Sequence, residues 1–209
     1  MLHLSTVDTS TLELLKKLMR FDDFSGLRLV GGTALALQLD HRKSIDLDLF
    51  GDINFEDIDI AKLFAGFDSV VTLKRSRNIN IFSINDVKVD FVNYSYPWLQ
   101  QHMLIDGIRL AVTEDIAAMK LAAITGRGSK KDFIDIFFLL QKYSLREMLD
   151  FYNKKYFDGS EYLVIKSLTY FDDAEKDNGL EMIVNISWEN VKKLIQDEVG
   201  SYNEDLLAQ

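Results

Sequence analysis

Residues 27–50 read LRLVGGTALALQLDHRKSIDLDLF, and the order of patterns within them decides the fold. Leu27–Val30 predicts a short strand that runs into the pair Gly31-Gly32, and Thr33–Leu39, rich in alanine and leucine, predicts a helix leaving that glycine turn. Ile45–Phe50 then alternates apolar and acidic residues, the period of a half-buried strand. Two apart on such a strand, Asp46 and Asp48 share one face, while Ile45, Leu47 and Leu49 are expected on the core face. Like charges this close repel unless something positive lies between them. A hard divalent cation does so, and magnesium is typically held by a few carboxylates together with substrate phosphates.

Working outward, Val87–Tyr94 predicts another strand on which Val87, Val89 and Phe91 face one way and Asp90 the other. If the two strands are neighbours, Asp90 joins Asp46 and Asp48 in a three-carboxylate site for Mg2+ or Mn2+, suited to in-line displacement at phosphorus. Gly31, Gly32 and Thr33 add backbone N–H groups at a helix N-terminus, where a triphosphate can rest. Strands are also predicted at Val70–Lys74, Ile79–Ile84 and Ile108–Val112, with Asn85-Asp86 as a tight hairpin turn. Helices are predicted at Thr11–Arg20, with Ser10 and Glu13 spaced as a capping box, and at Phe55–Phe64.

From Thr113 the period becomes helical: Thr113–Ile124, Lys131–Tyr143, Leu145–Lys154, Glu161–Leu168 and Trp188–Val199 are expected helices, with a polar loop over 172–179. The fold class is therefore α+β, a small mixed β-sheet with flanking helices plus a C-terminal helical bundle. The expected division is an α/β core over 1–112 and a helical region over 113–209 packed on it.

Composition narrows the function. The 209 residues hold no cysteine, which excludes a disulfide scaffold, a zinc ribbon and a cysteine nucleophile. No stretch approaches the roughly 20 apolar residues of a membrane span, and Met1–Ser5 lacks a basic n-region, so the expectation is a soluble cytoplasmic protein with no membrane partner. Net charge is −9, of which residues 1–141 carry −3 and residues 142–209 carry −6. Such acidity excludes a general nucleic-acid coat but leaves room for a local basic groove.

The series Gly31-Gly32-Thr33-Ala34-Leu35-Ala36-Leu37, then His41-Arg42-Lys43-Ser44-Ile45-Asp46-Leu47-Asp48-Leu49-Phe50, resembles the signature of the nucleotidyltransferase superfamily of the DNA polymerase β type, and within it the AbiEii/AbiGii toxin family. A later run, Lys120-Leu121-Ala122-Ala123 followed by Gly126-Arg127-Gly128-Ser129-Lys130-Lys131-Asp132-Phe133-Ile134-Asp135-Ile136, extends the likeness, which covers roughly residues 25–143. The resemblance implies a nucleotidyltransferase fold and transfer of an NMP from an NTP to a hydroxyl, with RNA, the 3′ end of tRNA, as acceptor and a cognate antitoxin as partner. It also implies that Lys120 and a Lys-Asp aspartate belong to the active site, so that Lys120 would touch nucleotide phosphates and Asp132 or Asp135 would position it.

Read on their own, Asp132 and Asp135 lie three apart on one helix face, and an inter-helix Lys–Asp pair that only docks the bundle is an equal alternative for Asp135. Ser44 and Arg42 are candidates for phosphate oxygens, the alternatives being a turn serine and a solvated arginine. Lys74-Arg75-Ser76-Arg77 is a candidate contact for an RNA acceptor, or else a solvated loop. Tyr94, Tyr96, Pro97 and Trp98 form an aromatic cluster suited to core packing, and His3, His41 and His102 have no metal spacing. Two other functions stay open: transfer to a small-molecule hydroxyl, and a non-catalytic nucleotide-binding module, against which the retention of all three carboxylates counts.

Overall fold

The computed structural model describes residues 2–56, 58–177 and 179–208. Its contacts fall into two compact units, one comprising the chain up to Tyr96 plus Gln101–Ala111, the other Pro97–Gln100 plus Val112 onward.

The first unit carries a sheet of seven strands among the described residues: β1 (Leu27–Val30), β2 (Leu47–Gly51), β3 (Val70–Arg75), β4 (Ile79–Ile84), β5 (Val87–Asn93), β6 (Met103–Ile105) and β7 (Ile108–Leu110), in the order β3-β4-β5-β2-β1-β7-β6. β2 runs parallel to β5 and antiparallel to β1, while β3, β4 and β5 form an antiparallel meander. The helices of this unit are α1 (Thr9–Leu18), α2 (Gly31–Leu39) and α3 (Ile60–Leu63). Alternation sorts β2, β4 and β5 into two faces. Leu47, Leu49, Phe82, Ile84, Val89 and Phe91 are buried on one, where Phe91 stacks with Phe24 at 4.8 Å and with Phe55 at 5.3 Å. Loss of a ring such as Phe91 from this layer costs about 3–5 kcal/mol. The other face, with Asp48, Ile81, Ser83, Lys88 and Asp90, is only half-covered. Arg109 ties the strands to the chain before them, donating to the carbonyls of Met19, Phe24 and Leu27.

The turns follow their residues. Asn85 and Asp86 take φ of 49° and 65°, the left-handed pair of a type I′ hairpin. Asp106-Gly107 does the same at 52° and 78°, and closes the β6–β7 hairpin. That Asp-Gly pair is the signal for β6, which the alternation pattern of so short a strand does not reveal.

The second unit is helical: α4 (Thr113–Gly126), α5 (Lys130–Leu140), α6 (Leu145–Lys155), α7 (Glu161–Leu168) and α8 (Trp188–Leu207). Phe133 of α5 meets Phe171 at 4.8 Å and Trp188 at 5.8 Å. Ser144 and Glu147 form a capping box that starts α6. Pro97–Gln100 joins this unit because Asp115 accepts from the backbone N–H of Leu99 and Gln100, and Lys155 donates to both Pro97 O and Asp115 at 2.7 Å. No helix of the described residues is long and apolar enough to cross a membrane.

Several boundaries differ from sequence expectation for physical reasons. α1 begins at Thr9 with Asp8 as its N-cap residue, so Ser10 and Glu13 lie inside the helix and form no capping box. The helix expected over Phe55–Phe64 contracts to Ile60–Leu63, because Asp59 accepts from Lys62 N–H and starts a new turn there. Asp57, within that expected helix, and Asn178, within the expected polar loop, lie outside the described residues. β2 begins at Leu47, so Ile45 is not on the core face but 63% exposed. α8 runs eight residues past Val199, through Gly200, since buried Tyr202 continues its apolar stripe.

Candidate active site

The carboxylates are positioned by strand register. Asp48 of β2 lies directly opposite Asp90 of β5, and Val30 at the end of β1 lies opposite Asp48 from the other side. Paired residues on adjacent strands project from the same face, so Asp48 and Asp90 are immediate neighbours on the half-covered side of the sheet. Asp46 precedes β2; it and Asp48, both half-buried, flank fully buried Leu47.

The ammonium of Lys88, two residues before Asp90 and therefore on its face, lies 2.6 Å from Asp90 Oδ1. Burial lowers the lysine's pKa, but the contact and charge of Asp90, followed by the charges of Asp46 and Asp48, outweigh this and raise it. Lys88 is thus a built-in cation in the field of all three carboxylates. Alternation could have revealed it, because Lys88 and Asp90 bracket the core residue Val89.

Gly31 supplies the second element. Its φ of +68° is a conformation that favours glycine, and a Cβ there would collide with the Asp48 carboxylate. At Gly32 a Cβ would collide with the Arg42 guanidinium and come within 3.4 Å of Ser44 Oγ. The glycine pair therefore lets Asp48, Arg42 and Ser44 close against the start of α2, whose first N–H groups have no partner within the helix. Thr33, 1% exposed, fixes the arrangement: its hydroxyl lies 2.8 Å from Ser44 Oγ and donates to Asp46 O. Arg42 is 3% exposed and donates to Lys43 O at 3.0 Å, a buried arginine rather than a solvated one.

Among the described residues no three His, Asp or Glu side chains stand close enough together to hold a metal ion. The pair Asp48 and Asp90 nevertheless fits a divalent cation: both are hard oxygen donors, they face each other across adjacent strands, and a cationic group already lies beside them. Two carboxylates are enough for magnesium when phosphates and water complete the shell.

Lys120, Asp132 and Asp135 form a separate cluster inside the helical unit. Lys120 Nζ is 3.0 Å from Asp132 Oδ1 and 2.5 Å from Asp135 Oδ2. Asp132 also accepts from Arg127 at 2.8 and 3.0 Å and from Ser129 Oγ at 2.6 Å. Burial would raise the Asp132 carboxyl, but the Lys120 charge, then Arg127 and Ser129, hold it well below the usual carboxylate range. Sequence reasoning gave Arg127 and Ser129 no role; their spacing to Asp132 through the Gly128 turn is the only local hint.

The remaining candidates are dispersed. Lys74, Arg75 and Arg77 are exposed at the far end of the β3–β4 hairpin. Tyr94 packs on Phe50 and Tyr96, whereas Trp98 sits under the ammonium of Lys155 at 4.4 Å. His3 pairs with Asp40, His41 is fully buried and His102 is exposed.

Solved structures share this architecture. JHP933 of Helicobacter pylori matches with a TM-score of 0.53 at 18% identity, covering 97% of this chain and 98% of that one. A second Helicobacter pylori protein, a candidate nucleotidyltransferase, matches at 0.62 and 17% identity over 96% and 98%. The nucleotidyltransferase toxin MenT4 of Mycobacterium tuberculosis matches at 0.58 and 14% over 90% and 79%. In sequence, the uncharacterised protein aq_aa25 of Aquifex aeolicus is 34% identical over 201 residues, covering 92% of this chain and 96% of that protein. The sequence profile of the nucleotidyl transferase AbiEii toxins of type IV toxin–antitoxin systems matches residues 13–199. With a signature that spans both units, the chain belongs to the AbiEii nucleotidyltransferase toxin family.

Proposed function

We propose that the protein transfers an NMP unit from an NTP to a hydroxyl of RNA, the 3′ end of tRNA, with divalent-metal assistance, and that a cognate antitoxin restrains it. The observation that carries this reading is the register of Asp48 against Asp90 beside a glycine turn that only fits without side chains.

Asp48 and Asp90 are the groups that would hold Mg2+ or Mn2+, and Asp46, just before β2, adds its negative charge to the same site. Such an ion, when bound, would neutralise charge on the triphosphate. The N–H groups of Gly31, Gly32 and Thr33 at the start of α2, with Ser44 and Arg42, receive phosphate oxygens. Asp90 takes the proton from the acceptor hydroxyl, whose oxygen forms the new bond to the α-phosphorus. The bond from that phosphorus to the bridging oxygen breaks, and pyrophosphate leaves. For the helical unit the proposed role is that Asp132 and Asp135 hold the ammonium of Lys120 in place within it.

The test is a transfer assay with each of the four labelled NTPs, total tRNA and Mg2+, on the wild type and on Asp46→Ala. Label transferred to RNA by the wild type, and lost in the variant by orders of magnitude at unchanged Tm, is the expected result. Full activity of Asp46→Ala, or transfer only to small hydroxyl compounds, would refute it.

A further inference from the structure

The half-covered face of the sheet continues past the carboxylates. Register carries one row across four strands: Lys74 opposite Ile81, Ile81 opposite Asp90, Asp90 opposite Asp48. At the usual strand spacing Lys74 stands about 10 Å from Asp90 and about 14 Å from Asp48, measured along the row. A register shift between Thr72 and Lys74 decides this. In an unbroken ladder Leu73 would oppose Ile81 and Lys74 would fall on the opposite face. The bulge instead turns the lysine toward the carboxylates.

Arg75, the last residue of β3, stands opposite buried Asn80 and so belongs to the other face, while Arg77 lies in the turn into β4, which is tightly built. Ser76 N–H and Oγ both donate to Ile79 O, Ile79 N–H donates back to Ser76 Oγ, and Asn80 Nδ2 donates to Ser76 O. Lys74 and Arg77 are exposed, and neither forms an ion pair with an acid among the described residues, in a chain of net charge −9. Between them and Asp90 the same face offers apolar surface from Val71, 53% exposed, Ile79, 36% exposed, and half-buried Ile81.

We propose that this face of β3–β4–β5 is the track on which the acceptor polynucleotide docks, with Lys74 and Arg77 holding backbone phosphates upstream of the 3′-terminal hydroxyl that Asp90 receives. The proposal rests on the reading of the protein as an RNA nucleotidyltransferase. It identifies what the bulk charge leaves open, a local positive strip leading to the carboxylates. Base stacking on a flat, half-apolar surface and charge pairing with phosphates are the two contacts by which single strands are held without sequence readout.

The experiment compares the full-length wild type with the double variant Lys74→Gln/Arg77→Gln and its conservative counterpart Lys74→Arg/Arg77→Lys, using total tRNA at several KCl concentrations. Two lost phosphate contacts should reduce the slope of log KM for RNA against log salt by about 1.4, at roughly 0.7 per contact on a single strand. KM for RNA should rise about tenfold or more at low salt. NTP binding by calorimetry, kcat at saturating RNA and Tm should stay at wild-type values, and the conservative variant should keep wild-type KM. An unchanged KM and salt slope in the glutamine variant, while the wild type labels RNA, would overturn the track and leave the proposed function standing. Loss of inhibition by the antitoxin with RNA KM intact would overturn it in favour of a protein-binding edge. A wild type that labels no RNA would remove the acceptor reading and the track with it.

Discussion

Asp90 and Asp132 are both aspartates facing a lysine, yet the two settings have little else in common. Asp90 lies on a strand at the half-covered face, 20% exposed, and its partner Lys88 reaches in from a side chain 42% exposed. Asp132 is wholly buried, with Lys120 and Asp135 beside it and Arg127 and Ser129 filling its remaining lone pairs. A carboxylate whose counter-charge comes from a partly exposed side chain can exchange that partner for a ligand. One that is saturated inside a helical unit holds its neighbours in place, and breaking it leaves an uncompensated buried charge.

That contrast can be tested from its strongest consequence downward. Asp90→Asn should lower kcat by about 10²–10⁴-fold, the usual weight of a general base, with Tm unchanged or raised because repulsion from Asp48 is relieved. A Tm loss comparable to that of the Asp132 variants would erase the distinction. Lys120→Met should destabilise the protein by about 3–5 kcal/mol in urea unfolding, and adding Asp132→Asn and Asp135→Asn should recover much of it. If Lys120→Met is stable but inactive, its role lies in transfer rather than in the fold.

The Asp132 carboxyl has a folded pKa below its unfolded one. Its stabilisation is therefore complete above the unfolded value of about 4 and is lost as pH falls from there toward the folded value. An Asp132→Asn variant should flatten this acid limb in Tm measured against pH, and an unchanged limb would assign acid sensitivity elsewhere. Gly31→Ala should cost about 1–3 kcal/mol for the forced backbone and displace Asp48, seen as weakened Mg2+–NTP binding by calorimetry. At the small end, Lys88→Met should change stability by less than about 1 kcal/mol, as for other partly exposed ion pairs.

The sequence made local patterns legible and left distant ones hidden. Alternation in Ile45–Phe50 and Val87–Tyr94 marks which residues share a face, because side chains on a strand follow a period of two. That Asp48 and Asp90, 42 positions apart, meet in a parallel pair depends on packing of the aromatic layer around Phe91, and no short window contains that information. The same holds for Lys155 and Asp115, a fully buried pair on two helices. The strand over Ile108–Leu110 is expected, but its partner Met103–Ile105 is not, because three residues are too few for alternation to register. Ser10 and Glu13 had capping spacing, but Asp8 lay two residues earlier in a suitable backbone conformation and took the helix start.

Asp115 and Lys155 receive Pro97–Gln100 within the helical unit, although the chain returns to the sheet before entering α4. The polypeptide therefore passes from one unit to the other three times. A single proteolytic nick near residue 112 would not yield two complete halves. A fragment ending there keeps the tetrapeptide but loses the aspartate and lysine that anchor it, so dissecting the toxin by truncation would damage whichever half is kept.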